Sequence, residues 1–152
     1  MTDFVTVRNH IAGKDVVIIG CPASGKTYLS NLLASPSHTV IHTDDYIKYG
    51  YKEALYVLMN DLKNIDGNVI IEGVQGYRLL RKGVELNCYF PDIVIELEIP
   101  EARMLQTYAE QRPGKNVTAL KSFNKVHKKI LADYHNMYNI NRPQWIKLQN
   151  NY

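Results

Sequence analysis

The chain has 152 residues, 45% apolar and 22% charged, which excludes a disordered or fibrous polymer and leaves room for a core that needs no disulfide or metal. Its apolar runs, such as 16–19 and 69–71, are too short to span a bilayer, and 1–10, with Asp3, Arg8 and His10, does not read as a secretory leader. The net charge of +3 is unevenly spread: residues 1–101 carry 9 Lys and Arg against 13 Asp and Glu, and residues 102–152 carry 9 against 2.

No repeat, low-complexity tract or Pro/Gly/Ser-rich linker interrupts the chain, so residues 1–152 are read as a single domain. Cys21 and Cys88 are expected to be reduced thiols, and the cytoplasm is the expected setting. The first strand is expected at 16–19, four consecutive β-branched residues of the kind that fill a strand buried on both faces. Gly20-Cys21-Pro22-Ala23-Ser24-Gly25-Lys26-Thr27 follows and satisfies G-x-x-x-x-G-K-[ST] in full. Its glycines let successive backbone N–H groups turn into one concavity at a helix N-terminus, which suits the phosphates of ATP or a close relative. Lys26 is expected to reach the β- and γ-phosphates, and the Thr27 hydroxyl to ligate Mg²⁺. A helix over 26–34 closes the unit, stopped by Ser35-Pro36.

A second strand is expected at 39–42, then Asp44-Asp45-Tyr46 and a helix over 46–63 that ends at Asp66-Gly67. One of the paired carboxylates can cap that helix while the other faces an acceptor as general base or orienting group; Asp44 is favoured for the acceptor, with Asp45 beside it. The third strand, 68–71, runs into Glu72-Gly73, where the acid either holds Mg²⁺ through its waters or merely ends a strand at the surface. Gln75, Tyr77 and Arg78 lie where an acceptor can be touched.

The fourth strand, 93–97, precedes a helix over 101–111 that Arg103 opens and Arg112 ends, just before Pro113-Gly114-Lys115. Arg112 either closes over the phosphates as part of a lid around 111–118 or pairs with the helix dipole; Arg103 has the same two readings. A long helix over 122–138 carries an apolar stripe of Phe123, Val126, Ile130, Tyr134 and Met137, read as core. Its Lys121, Lys125, Lys128 and Lys129 are either a solvated face or part of a basic surface for a polyanion. The last strand is expected at 145–148. Strands alternating with helices argue for an α/β fold, a parallel sheet with helices on both faces and ligands at the carboxyl ends of the strands.

With these residues the chain resembles the small P-loop kinases, the group of nucleoside, nucleotide, gluconate and shikimate kinases and the kinase domain of phage-type polynucleotide 5′-kinases. The specific part is Gly20–Thr27; Asp44-Asp45-Tyr46 resembles the Asp-Asp-aromatic stretch of several members, polynucleotide kinase among them, and Ile71-Glu72-Gly73 that of uridine-kinase-like members. The resemblance implies a three-layer α/β/α domain with a five-stranded parallel sheet ordered 2-3-1-4-5. It also implies a lid between the fourth and fifth strands, with Lys26 and Arg112 clamping the transferring phosphoryl and Asp44 serving the acceptor hydroxyl. Nucleotide kinases carry several lid arginines, whereas Lys115 stands here in place of a second. The acceptor site is expected to be compact, formed by 44–60 and 73–87.

The expected activity is transfer of the ATP γ-phosphate to a small nucleoside-like or nucleotide-like acceptor, or to a polynucleotide 5′ end. A nucleotide-binding regulatory or partner module without transfer is the alternative. A GTPase is disfavoured because no Asn-Lys-x-Asp segment occurs, and an AAA-type motor by the small size.

Overall fold

A computed structural model describes residues 4–150 apart from 23, 51, 112, 115 and 116, and apart from the side chains of 117 and 119. Five strands, β1 (Val16–Ile19), β2 (His38–His42), β3 (Asn68–Glu72), β4 (Ile93–Glu98) and β5 (Gln144–Gln149), form one parallel sheet in the order β2-β3-β1-β4-β5. Each expected strand is present, most of them a residue longer at one or both ends. All four β1 side chains are fully buried, which accounts for their unbroken apolar run.

Alternate strand residues feed two cores, one on each face of the sheet. On one face α1 (Phe4–Ile11) and α2 (Lys26–Leu33) set Val7, Ile11, Leu29 and Leu33 against Val16, Ile18, Ile70 and Ile95. On the other, α3 (Glu53–Leu62), α4 (Gly76–Glu85) and α6 (Val117–Asn136) set Leu55, Leu58, Leu79, Leu80 and Tyr134 against Val17, Ile19, Ile71 and Val94. The remaining α-helix, α5 (Glu101–Gln111), follows β4 and buries Met104. Among the described residues no helix is long and apolar enough to cross a membrane, and both cysteines are free.

Three expectations are corrected. The helix expected over 46–63 is two elements: a 3₁₀ segment, Thr43–Tyr49, and α3, separated by Gly50 at φ 89°. That left-handed backbone angle breaks the helical path, and the Tyr46 hydroxyl, donating to Asp61 Oδ2 at 2.8 Å, folds the 3₁₀ segment back onto α3. The apolar stripe expected on α6 holds in part: Ile130 and Tyr134 are buried and Phe123 and Met137 half-buried, but Val126 is 53% exposed, and Leu120 and His127 are buried beside them. Third, α1 and α4 arise where no helix was expected. In α4 two glycines obscured the pattern, and both sit at close approaches: a Cβ at Gly76 would lie 3.0 Å from Ile19 Cγ2, and one at Gly83 would lie 2.5 Å from the Tyr89 carbonyl oxygen.

The docking of α4 rests on Leu79, fully buried between α3 and the sheet. Leu79→Ala is expected to lower the unfolding free energy by about 2–5 kcal/mol. A urea titration checks this, and a much smaller loss would mean that α4 is not held on the sheet through this residue.

Candidate active site

The carboxyl ends of β1, β2 and β3 converge on one cavity of about 510 Å³, bounded by Lys26, Thr27, Asp44, Glu72, Gly73 and Phe123 among others. The loop after β1 forms its floor. Gly25 there has φ 97°, and a Cβ would come within 2.9 Å of Asn150 Nδ2, which itself donates to the Ser24 carbonyl at 2.8 Å. At Gly20 a Cβ would press to 2.6 Å from Ser24 Oγ and 2.9 Å from the Leu97 carbonyl oxygen. Both glycines are therefore fixed by the space the loop leaves, and α2 begins directly behind it with its first N–H groups toward the cavity end. Ser24 Oγ is buried without a hydrogen-bond partner among the described residues.

Lys26 is 7% exposed, and its ammonium donates to the carbonyls of Gly20 at 3.0 Å and Cys21 at 2.8 Å, so it is held over the loop. The Thr27 hydroxyl donates to Glu72 Oε1 at 3.1 Å, and His42 Nδ1 lies 2.5 Å from the same oxygen. Glu72 is 6% exposed, so its carboxylate depends on these two donors for what water would otherwise supply. His42 and Glu72 are opposed residues in the β2–β3 register. A hydroxyl and a buried carboxylate converging beside the loop of Gly20–Thr27 are donors suited to Mg²⁺, which takes oxygen ligands and keeps several waters.

Gly73 lets β3 leave the sheet beside β2. Its φ is 134°, and a Cβ would collide with the hydroxyl of Thr43, which is fully buried. Gly73→Ala is expected to cost about 1–3 kcal/mol of stability through that overlap. Thermal unfolding beside wild type checks it; an unchanged midpoint would mean that Thr43 yields freely.

The paired aspartates part company. Asp44 stands on the wall of the cavity that holds Lys26 and Thr27, while Asp45 faces a shallower groove with His42, Tyr46, Lys48 and Asp61. No side chain caps the 3₁₀ segment they begin, so the capping role considered for either is absent. Among the described residues of the compact acceptor region expected from 44–60, only Asp44 and Ile47 line this cavity, while α3 buries Ala54, Leu55, Leu58 and Met59 in the core.

Gln75 is 4% exposed and accepts a hydrogen bond from Arg78 Nη1 at 3.0 Å, within the first turn of α4. Arg103 is half-buried on α5 and lines neither this cavity nor the larger one beside it. Gln111 reaches the cavity wall. Arg112 and Lys115 of the expected lid, and Ala23 of the loop, lie outside the described residues.

The adjoining cavity, of about 610 Å³, shares Pro22, Val74 and Phe123 with the first. Tyr77, Phe123 and His127 line it, with ring centroids 5.0 Å apart for Tyr77 and His127 and 4.0 Å for Phe123 and His127. Burial pushes the Tyr77 hydroxyl well above the usual phenol range and the Cys21 thiol above its own, so both stay protonated at neutral pH. Sequence reasoning missed His42 and His127. Register between the second and third strands was the signal for His42; for His127 it was the helical spacing from Leu120 and Tyr134.

No protein-family model matches the chain, and no curated protein matches its sequence. Solved structures do match. A shikimate kinase from Acinetobacter baumannii in complex with shikimate is similar at a TM-score of 0.59 and 15% identity, over 95% of this chain and 88% of that one. A gluconokinase from Sinorhizobium meliloti is similar at 0.57 and 12%, over 92% and 84%. A deoxyadenosine kinase from M. mycoides with bound dATP is similar at 0.53 and 13%, over 89% and 90%. The chain has the fold of the small P-loop kinases. In that fold the strand order β2-β3-β1-β4-β5 makes β1 and β3 neighbours, which is why the phosphate loop and Glu72, 45 residues apart in sequence, share one cavity.

Proposed function

We propose that this protein is an ATP-dependent phosphotransferase, carrying the γ-phosphate to a hydroxyl or phosphate of a small nucleoside-like or nucleotide-like acceptor or of a polynucleotide 5′ end. The observation that carries this reading is the meeting of Lys26, Thr27, Glu72 and Asp44 around one cavity at the strand ends. A module that only holds a nucleotide need not keep a carboxylate such as Asp44 on the wall of the same cavity.

Loop amides and the Lys26 ammonium bind the donor's phosphates, the ammonium exchanging carbonyl partners for phosphate oxygens. Thr27 and, through water, Glu72 would hold Mg²⁺, which when bound neutralises charge on the β- and γ-phosphates. His42 orients the Glu72 carboxylate from the side. Asp44 takes the proton of the acceptor hydroxyl as its oxygen bonds to the γ-phosphorus and the bond from that phosphorus to the β,γ-bridging oxygen breaks, releasing ADP. Positioning and fixed charge supply most of the acceleration. Arg112, at the expected lid, would add a cation to the same phosphoryl group.

The test is ATP turnover by the purified protein with Mg²⁺ against nucleosides, nucleotides, sugars, shikimate, gluconate and 5′-hydroxyl oligonucleotides. One acceptor is expected to raise ADP release well above the background hydrolysis and to appear phosphorylated by mass spectrometry. If ATP binds and no acceptor gains phosphate, the phosphotransferase reading falls and a nucleotide-binding module takes its place.

A further inference from the structure

The larger cavity has an aromatic side, Tyr77, Phe123 and His127 with Met104 of α5 beside them, and a polar side that includes Glu96, Glu98, Asn124 and Gln149. A flat conjugated ring with polar groups on its edge matches both sides at once, packing on the first and hydrogen-bonding to the second.

Among the described residues of these walls, one fully buried side-chain polar atom has no hydrogen-bond partner. His127 is 3% exposed, and its Nδ1 lies 2.7 Å from the Phe123 carbonyl oxygen, an acceptor, so the Nδ1 proton is fixed and Nε2 carries the lone pair. That Nε2 is buried with no hydrogen-bond partner among the described residues. Burial, with the positive charges of Lys26 and Arg78 adding to it, holds the imidazole below its ordinary titration range, so it offers an acceptor at neutral pH. Phe123, half-buried and shared by both cavities, packs on the His127 ring at 4.0 Å between centroids. Glu96 adds a carboxylate on the strand side, with Oε1 taken by Trp145 Nε1 at 2.9 Å. At the edge Lys125 and Lys128 are exposed along α6.

We infer that this cavity takes a planar heteroaromatic ring bearing an N–H donor, of the nucleobase class, packed against the Tyr77–His127–Phe123 cluster with Phe123 turned aside and the donor on His127 Nε2. Resting on the phosphotransferase reading, the ring belongs to the acceptor, whose sugar hydroxyl passes Val74 and Phe123 into the cavity of Lys26 and Asp44. A phosphate on that sugar, whether of a mononucleotide or of an oligonucleotide, meets Lys125 and Lys128.

The test is the histidine ¹⁵N spectrum of the full chain, taken with adenosine, cytidine, their 3′-monophosphates, a 5′-hydroxyl dinucleotide, shikimate and gluconate as probes. A nucleobase compound is expected to move the His127 Nε2 resonance upfield, and the two polyols to leave it in place. His127→Phe, which keeps a ring but removes the acceptor, is expected to weaken that binding about 10-fold or more, the size of one lost buried hydrogen bond. His127→Gln is expected to recover part of it, and ATP affinity, serving as the check on folding, to stay as in wild type. A gain of affinity from the 3′-phosphate that vanishes in Lys125→Ala/Lys128→Ala assigns the rim; a further gain for the dinucleotide makes a polynucleotide the source. Nucleoside binding with the Nε2 shift but without phosphoryl transfer upholds the site and sinks the kinase reading. Transfer to a polyol, indifferent to His127→Phe, does the reverse. Nucleoside binding that leaves Nε2 unmoved also overturns the inference.

Discussion

Lys26→Ala is expected to lower acceptor-dependent turnover by on the order of 10³-fold, the scale of losing a preorganised cationic donor from a phosphoryl-transfer site. The reason lies in where the ammonium is kept. It is buried against the carbonyls of Gly20 and Cys21, so it meets the nucleotide's phosphates without having to be drawn from solvent and immobilised. Alanine removes the charge and leaves those two carbonyls without this donor, so nucleotide affinity is expected to fall as well. Lys26→Arg is not expected to restore turnover: a planar guanidinium is larger than an ammonium and cannot point its donors back onto two loop carbonyls from the same stem. Calorimetric titration with ATP, steady-state ADP release and a thermal melt separate binding, transfer and folding. Wild-type ATP affinity in a folded Lys26→Ala protein would remove the phosphate-binding role from this loop, and with it the foundation of the proposed function.

The features legible in the sequence are those fixed by local chemistry. Gly20–Thr27 can be read because a backbone that curls its amides onto phosphate demands glycine at set places, and β1 because a strand covered on both faces has nowhere for a polar side chain. Thr27 and Glu72 are chosen from separate segments by the same logic, each as an oxygen donor after a buried strand, and they stand 3.1 Å apart. What escaped depends on packing across the chain. Gly76 and Gly83 look like helix breakers until β1 and the Tyr89 backbone occupy the space where side chains would stand. Gly50 ends a helical pattern that the apolar spacing carries straight through, since its φ of 89° is set by the turn and not by neighbouring residue types. His42 acquires its place only when β2 lies beside β3, and His127, a polar residue in an apolar stripe, only when α6 closes over α4. Exposed Val126 shows the same limit, because spacing alone fits more than one face of a long helix.

Asp44→Asn is expected to reduce turnover by about 10²–10⁴-fold while ATP affinity stays near wild type, the range associated with a positioned general base. Asparagine keeps the size and the hydrogen-bonding reach of the side chain but cannot take up the acceptor's proton, so a binding role and a proton-transfer role separate cleanly. Asp45→Asn is the paired control. It has the same change in charge one residue away, yet Asp45 opens into the groove of Tyr46 and Asp61 and away from the cavity of Lys26 and Thr27. Its effect is expected to stay within about 0.5 kcal/mol, that of an ordinary surface substitution. The pair also tests the general field of the site, since two carboxylates acting only by their negative charge would respond alike. Equal losses in both variants would assign the effect to that field, and a loss confined to Asp45→Asn would move the acceptor to the opposite side of the 3₁₀ segment. A loss confined to Asp44→Asn, in turnover and not in ATP binding, places a proton acceptor on the wall of that cavity, an arrangement that serves phosphoryl transfer and that a protein only binding nucleotide need not keep.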